Sequence, residues 1–279
     1  MVEEASMEDF TFIGQGNTSL RGHYWGISSP KAALLIIHGF GEHGARYAPM
    51  AEYLNKRDIA VFAFDHRGHG LSEGKRGSIR SWEQYRLDIE SASGELAQRC
   101  PNAPQFLLGH SLGGTMALDY IQKTQNKPRG AVVSAPALGK PGLSPVLLAI
   151  GRLLSAVAPS FSMKTRLDSN GISRVPEECE KYRQDPLVHD VACARLGTEL
   201  TAVQNSIFAQ AYALDVPLLL TYGSGDAIAP HEPIERFFEE AGGEDKVLQV
   251  FPEAFHEIHN DTIREDVFSL YANWMLARI

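Results

Sequence analysis

The stretch Gly109-His110-Ser111-Leu112-Gly113-Gly114 follows the apolar run Phe106-Leu107-Leu108 and leads directly into a helix-like pattern. A serine between two glycines, at a corner where a strand turns straight into a helix, presents its hydroxyl as a nucleophile. The glycines remove side chains where the two backbones come close. The turn lifts Ser111 above the sheet edge and aims the Leu112 N–H, at a helix N-terminus, toward any oxyanion formed there. The chemistry this permits is acyl transfer through a covalent serine adduct. A tight turn with an incidental capping serine has the same local signature, so the reading needs partners elsewhere in the chain.

Those partners occur in order. His38-Gly39-Phe40-Gly41 follows the apolar run 32–38 and leaves the backbone free to turn an N–H, that of Phe40, toward Ser111. An orienting carboxylate must lie at the carboxyl end of a later strand. Asp226 does, after the run 216–223, whereas Asp215 precedes that strand and falls at the wrong end. Two histidines compete as the base. His256 lies in the loop after the run 246–251, while His259 sits nearer the last helix, whose cap reads as Asn260-Asp261. His256 is therefore the expected base, and Ser111, Asp226 and His256 stand in the order nucleophile, acid, base.

Other polar clusters are read more blandly. His66 and His69 are three residues apart, but no Cys or Glu completes a ligand set. His256-Glu257-Ile258-His259 is not the His-Glu-x-x-His pattern, so no metal site is expected. Asp65, Arg67, Glu42 and Arg46 are expected to brace two loops beside the nucleophile. His110 should line the pocket or hydrogen-bond its surroundings.

The elements that must hold these residues are short apolar strands alternating with helices. The runs 32–38, 59–64, 105–109, 130–135, 216–223 and 246–251 read as buried strands. Helical patterns fill 46–57, 82–99, 112–124, 233–241 and 262–278. Such alternation implies an α/β fold, a mostly parallel central sheet with helices on both faces. The segments 10–14 and 22–27 read as antiparallel edge strands. Residues 137–211 contain helical patterns and no convincing strand, and are expected to form an inserted helical cap between two parts of a core, 1–136 and 212–279. Within it, 144–159 is the most apolar helical piece. Leu147, Leu148, Ile150, Leu154 and Val157 recur there at near-helical spacing, as a lid lining an acyl tunnel or leaning on a lipid surface would require.

Bulk properties narrow the partners. The 279 residues suffice for a sizeable core, and the net charge of −8 argues against a nucleic-acid partner. Three scattered cysteines do not resemble a disulfide framework, which favours a reducing compartment. The acidic N-terminus lacks an apolar signal region, and no stretch reaches the roughly 18 apolar residues a membrane span needs. A cytoplasmic protein with peripheral membrane contact is expected.

The whole chain resembles the monoacylglycerol lipase and lysophospholipase group of the α/β-hydrolase superfamily. The resemblance is carried by HGFGEHGARY (38–47), FDHRGHGLSEG (64–74), GHSLGG (109–114), GSGDAIAP (223–230) and AFHEIHND (254–261). YRQDPLVHD (182–190), in the cap, narrows it further, because generic α/β-hydrolases lack that string. The resemblance implies Ser111, Asp226 and His256 as a catalytic triad, and the N–H groups of Phe40 and Leu112 as an oxyanion hole. Leu112 departs from the Met of many relatives, a change that a backbone donor tolerates. The implied activity is cofactor-free hydrolysis of single-chain lipid esters, best monoacylglycerol, with transient membrane or micelle contact through the cap. Lysophospholipase, general carboxylesterase or acyltransferase action uses the same triad, and a non-catalytic binding protein is the distant alternative.

Overall fold

The computed structural model describes residues 7–139, 145–165 and 168–279. Two antiparallel strands open the chain, β1 (Met7–Gly14) and β2 (Thr18–Trp25), followed by β3 (Ala32–Ile37), α1 (Ala48–Asn55) and β4 (Ile59–Phe64). Then come α2 (Glu83–Arg99), β5 (Gln105–His110), α3 (Leu112–Lys123) and β6 (Gly130–Ser134). The inserted region holds α4 (Pro145–Val157), β7 (Ser162–Lys164), α5 (Pro176–Gln184), β8 (Val191–Cys193) and α6 (Ala194–Ala209). The chain returns to the sheet with β9 (Leu218–Gly223), α7 (His231–Glu240), β10 (Lys246–Phe251) and α8 (Arg264–Leu276).

The main sheet has eight strands in the order β1-β2-β4-β3-β5-β6-β9-β10. From β4 to β10 all neighbours are parallel, and β2 joins β4 antiparallel. Every residue of β3, β4, β6 and β9 is buried, as expected for parallel strands covered on both faces. Helices α1 and α8 cover one face, packing Met50, Leu54, Val267 and Tyr271 on Leu34, Ile36, Val61 and Leu108. Helices α2, α3 and α7 cover the other, where Tyr85, Ile89, Met116, Tyr120 and Phe237 meet Leu35, Ile37, Leu107 and Val133.

Two expectations needed adjustment. The strand at 22–27 is not an edge: β1 lies outside it, and Gly22 pairs with Phe64 on its inner side. The inserted region does contain strands, β7 and β8, an antiparallel pair of three residues each, too short to leave a period-2 signature. Leu196, Val203 and Ile207 of α6 join the main core, whereas α5 anchors a small cluster of Ile172, Cys179 and Tyr182. Among the described residues no helix is long and apolar enough to cross a membrane.

The register brings the carboxyl ends of the central strands level. Ile37 pairs with Gly109, His110 with Ser134, Ser134 with Thr221, and Gly223 with Phe251. The loops after β3, β5, β9 and β10 therefore emerge side by side, where parallel α/β sheets hold their ligands.

Candidate active site

Ser111 sits between β5 and α3 with φ +52° and ψ −117°. A non-glycine residue held there stores about 1–3 kcal/mol of strain and persists only if its surroundings enforce it. Three backbone bonds do so. Ser111 N–H donates to Ser134 O at 2.9 Å, and Ser111 O accepts from Thr115 and Ala137 N–H, each at 3.1 Å. The flanking glycines are sterically obligatory. A Cβ on Gly109 would lie 2.4 Å from Gly113 O, and one on Gly113 would lie 2.1 Å from Ile37 O and 2.3 Å from His38 O. The serine corner is thus pressed against the start of the loop after β3. A Cβ on Gly39 would touch Ser111 Cβ at 3.4 Å, so this loop passes directly beside the hydroxyl.

The structure brings Ser111, His256 and Asp226 together. His256 Nε2 lies 2.9 Å from Ser111 Oγ, and His256 Nδ1 lies 2.7 Å from Asp226 Oδ2. The network assigns the proton on Nδ1 to a donor bond into Asp226, leaving Nε2 to accept from the serine. The second oxygen of Asp226 accepts N–H bonds from Ile228 at 2.7 Å and Ala229 at 3.0 Å, fixing the carboxylate plane. The two loops are laced by Gly225 N–H to Ala254 O and by Glu253 N–H to Ser224 Oγ, both at 2.9 Å. The competing residues lie elsewhere. Asp215 is exposed and pairs with Lys127, and His259 stacks on Tyr47 at 4.9 Å, away from the serine.

Behind the loop after β3 lies a buried ionic cluster. Glu42 Oε1 accepts from Gly39 N–H at 2.6 Å and from Tyr47 O–H at 3.0 Å. Arg46 donates to Glu42 at 2.6 Å and, as a bidentate fork, to Glu257 at 2.7 and 2.8 Å. Burial alone would raise the Glu257 carboxyl, yet the Arg46 guanidinium beside it holds it down to about 2. The Glu42 carboxyl is raised, by burial above all, against the pull of Arg46. The expected brace by Glu42 and Arg46 is present, but its third member, Glu257, escaped the sequence reading. The only hint was its place directly after His256. Asp65 and Arg67 act separately. Asp65 accepts from Gly44 and Leu71 N–H at 2.8 Å and from His23, while Arg67 grips Asp88 at 2.6 and 2.7 Å.

The histidines around the site are packed rather than grouped as ligands. His38 and His66 stack at 3.7 Å, with His66 N–H donating to His38 Nε2 and His66 Nε2 donating to His38 O. His69 Nδ1 meets Arg67 O. His110 is buried between His256 at 4.7 Å and His259 at 4.8 Å. Burial pushes His66 and His259 down to about 4, and pushes His38, His69 and His110 well below the ordinary range with help from neighbouring imidazoles.

A family model described as "Serine aminopeptidase, S33" matches residues 28–263. The chain belongs to this family of hydrolases. It is 30% identical over 278 residues to the monoacylglycerol lipase of Mycolicibacterium smegmatis, with 99% of each chain covered. Among solved structures, the monoacylglycerol lipase of Paleococcus ferrophilus is 32% identical, with a TM-score of 0.84 over 98% of this chain and 100% of that one. A soluble variant of the monoglyceride lipase of Saccharomyces cerevisiae, in complex with a substrate analogue, shares the fold at 23% identity. Its TM-score is 0.87, over 99% of this chain and 96% of that one. The architecture is that of an α/β-hydrolase, and the enzyme class of its relatives is carboxylic ester hydrolysis by a serine.

The apolar helix α4 turns large apolar side chains to the solvent. Ile150, Leu153 and Val157 are exposed, Leu154 is half-buried, and it is Ser155 that faces inward, at 2.7 Å from Thr198. The side chains of Leu147 and Leu148 lie outside the described residues. Phe161 and Met163, further along the inserted region, are exposed as well.

Proposed function

We propose that this protein hydrolyses esters of single-chain lipids, monoacylglycerol in particular, to a free fatty acid and glycerol. The observation that carries the reading is the continuous relay from Ser111 Oγ through His256 to Asp226 at 2.9 and 2.7 Å, mounted on a strained elbow. The near full-length similarity to monoacylglycerol lipases supports the substrate class. The division into a core, 1–136 and 212–279, and a cap, 137–211, is part of the same reading.

Ser111 Oγ attacks the ester carbonyl while its proton passes to His256 Nε2. Asp226 holds the imidazole in the accepting tautomer and stabilises the imidazolium that results. The negative charge develops on the carbonyl oxygen and is met by the N–H groups of Phe40 and Leu112, each worth about 3 kcal/mol in the transition state. Glu42 occupies the N–H of Gly39, so the next amide of the loop serves as donor. The intermediate collapses as His256 gives its proton to the departing glycerol oxygen. Water, deprotonated by His256, then cleaves the acyl-enzyme by the same steps reversed.

The exposure of Ile150, Leu153, Val157, Phe161 and Met163 favours peripheral contact of the cap with a membrane or micelle, where such substrates reside. Cys100, Cys179 and Cys193 are free and buried, which fits residence in the cytoplasm. The test is labelling by a fluorophosphonate probe, followed by turnover of a panel of monoacylglycerols, lysophospholipids and short nitrophenyl esters. Labelling at Ser111 with monoacylglycerol as the preferred substrate is expected. No labelling would overturn the enzyme assignment, and preference for another member of the panel would overturn the substrate.

A further inference from the structure

The loop that carries Phe40 is held from two sides. From the core, Glu42 grips Gly39 N–H. From the cap, the turn after α5 reaches down and closes on the residues following Phe40. His189 N–H donates to Gly41 O at 2.8 Å, and Asp185 Oδ2 lies 2.8 Å from His43 Nε2. The Phe40 ring stands between His69 of the core, at 6.0 Å, and His189 of the cap, at 5.6 Å. Gly41 adopts φ +78°, and any Cβ there would fall 2.2 Å from His189 O. The cap backbone is in direct contact with the loop.

The turn is tied down by its own hydrogen bonds. Asp185 N–H closes the last turn of α5 onto Lys181 O at 3.1 Å. Asp185 Oδ1 accepts from Leu187 N–H at 2.8 Å, leaving Oδ2 for His43, and Pro186 limits the backbone between them. Three residues before Asp185, Tyr182 packs its ring under the Arg46 guanidinium at 4.8 Å, so α5 also touches the ionic cluster behind the loop.

We propose that Asp185 and His189 of the cap are positioning residues for the oxyanion hole: by clamping His43 and Gly41 they orient the peptide whose N–H, that of Phe40, meets the developing oxyanion. The inference rests on the functional reading above, and it gives the cap a part in the chemical step in addition to any contact with the acyl chain. It also gives a physical reason why the string 182–190 accompanies the nucleophile motif in this chain. The clamp reaches Phe40 only through the loop, so its loss misaligns a donor rather than removing one. Removing an oxyanion donor costs about 10²–10³ in kcat, and a misplacement near 1 Å about 10². The expected loss is therefore about 10- to 100-fold.

The experiment compares Asp185→Ala, Asp185→Asn, His43→Leu and the double variant Asp185→Ala/His43→Leu. Glu199→Gln serves as a cap control, because Glu199 anchors the cap on Trp82 N–H at 2.8 Å away from the loop. Each is assayed for kcat and KM on a soluble monoacylglycerol and for inhibition by a trifluoromethyl ketone. That inhibitor accepts Ser111 Oγ at its carbonyl carbon, sends the serine proton to His256, and leaves an oxyanion in the hole. Asp185→Ala and His43→Leu should each lower kcat about 10- to 100-fold with KM within threefold, and weaken the inhibitor in parallel with kcat/KM. Asp185→Asn, whose Oδ1 still accepts from Leu187 N–H and whose Nδ2 donates to His43 Nε2 once that imidazole carries its proton on Nδ1, should recover part of the rate. The double variant should be no worse than either single one, because both delete the same bond. Glu199→Gln should stay within twofold of the parent. Losses confined to KM, inhibitor affinity unchanged while kcat falls, or multiplying losses in the double variant would overturn the clamp. If Asp185→Ala does not fold, His43→Leu alone carries the test. A parent enzyme inactive on every ester would overturn the functional reading itself, a separate outcome from an active parent with indifferent clamp variants.

Discussion

Acid should destabilise this protein from about pH 6.5 downward, and a main cause is the set of buried neutral imidazoles. His38, His66, His69, His110 and His259 are fully buried, and burial is the largest cause of their depressed affinity for protons. The sign follows from linkage. Below the ordinary histidine value of 6.5 the unfolded chain takes up protons that the folded chain refuses, so stability is full above that value and falls as the pH drops toward the folded value. His66 and His259 titrate at about 4 in the fold. At roughly 1.4 kcal/mol per unit, each should cost about 2 kcal/mol between pH 6.5 and 5, and about 3 kcal/mol by pH 4. His38, His69 and His110 act in the same direction. His23, Glu42 and Asp88 bind protons more readily in the fold and oppose it. The two quantified histidines alone should remove about 4 kcal/mol by pH 5, a large share of the usual 5–15 kcal/mol. Urea unfolding at about pH 7.5, 6.5, 5.5 and 5.0 measures this directly. In His259→Phe, which keeps a ring on Tyr47, the slope between pH 6 and 5 should shrink by about 1.4 kcal/mol per unit. Equal stability at pH 7.5 and 5.0, or an unchanged slope in the variant, would refute the reasoning.

Ser111→Ala should lower ester turnover by about 10⁴-fold or more with the melting temperature preserved, and a tenth of the activity remaining would remove Ser111 as nucleophile. His256→Ala should be about as damaging, whereas His259→Ala, which does not reach Ser111, should keep activity within about tenfold where the protein is folded; the reverse outcome would exchange their roles. Ile150→Ser/Leu153→Ser/Val157→Ser should weaken sedimentation with phospholipid vesicles and lower turnover of vesicle-borne monoacylglycerol by at least about tenfold, leaving a short soluble ester unaffected. An equal loss on both substrates would mean that this face only holds the cap together.

What could be read along the chain was what each segment does locally. Runs such as Ala32–Ile37 are apolar throughout because both sheet faces are covered, and the six parallel strands begin and end within two residues of the expected runs. Once the strands are parallel, the loops after them share one end of the sheet. A serine, an aspartate and a histidine each following a strand can then be brought together without knowledge of the strand order. The structure does bring Ser111, Asp226 and His256 within hydrogen-bond distance. The choice of His256 over His259 was likewise local, since three residues along the chain separate a loop beside the serine from a turn behind it.

The tertiary structure decided what depends on which loops converge and on what water can reach. Arg46 joins Glu257 across 211 residues, and His43 joins Asp185 across 142. No periodicity links such partners, because the strand order and the fold of the inserted region bring them together. Burial is collective in the same way. Five histidines are neutral because the packed chain excludes water from them, a property no individual residue type carries. The face that α4 turns outward was also undecidable from its composition. An amphipathic pattern shows that a helix has an apolar side, but only its neighbours determine which side they cover. Here Ser155 meets Thr198 of α6, and Ile150, Leu153 and Val157 are left to face the solvent.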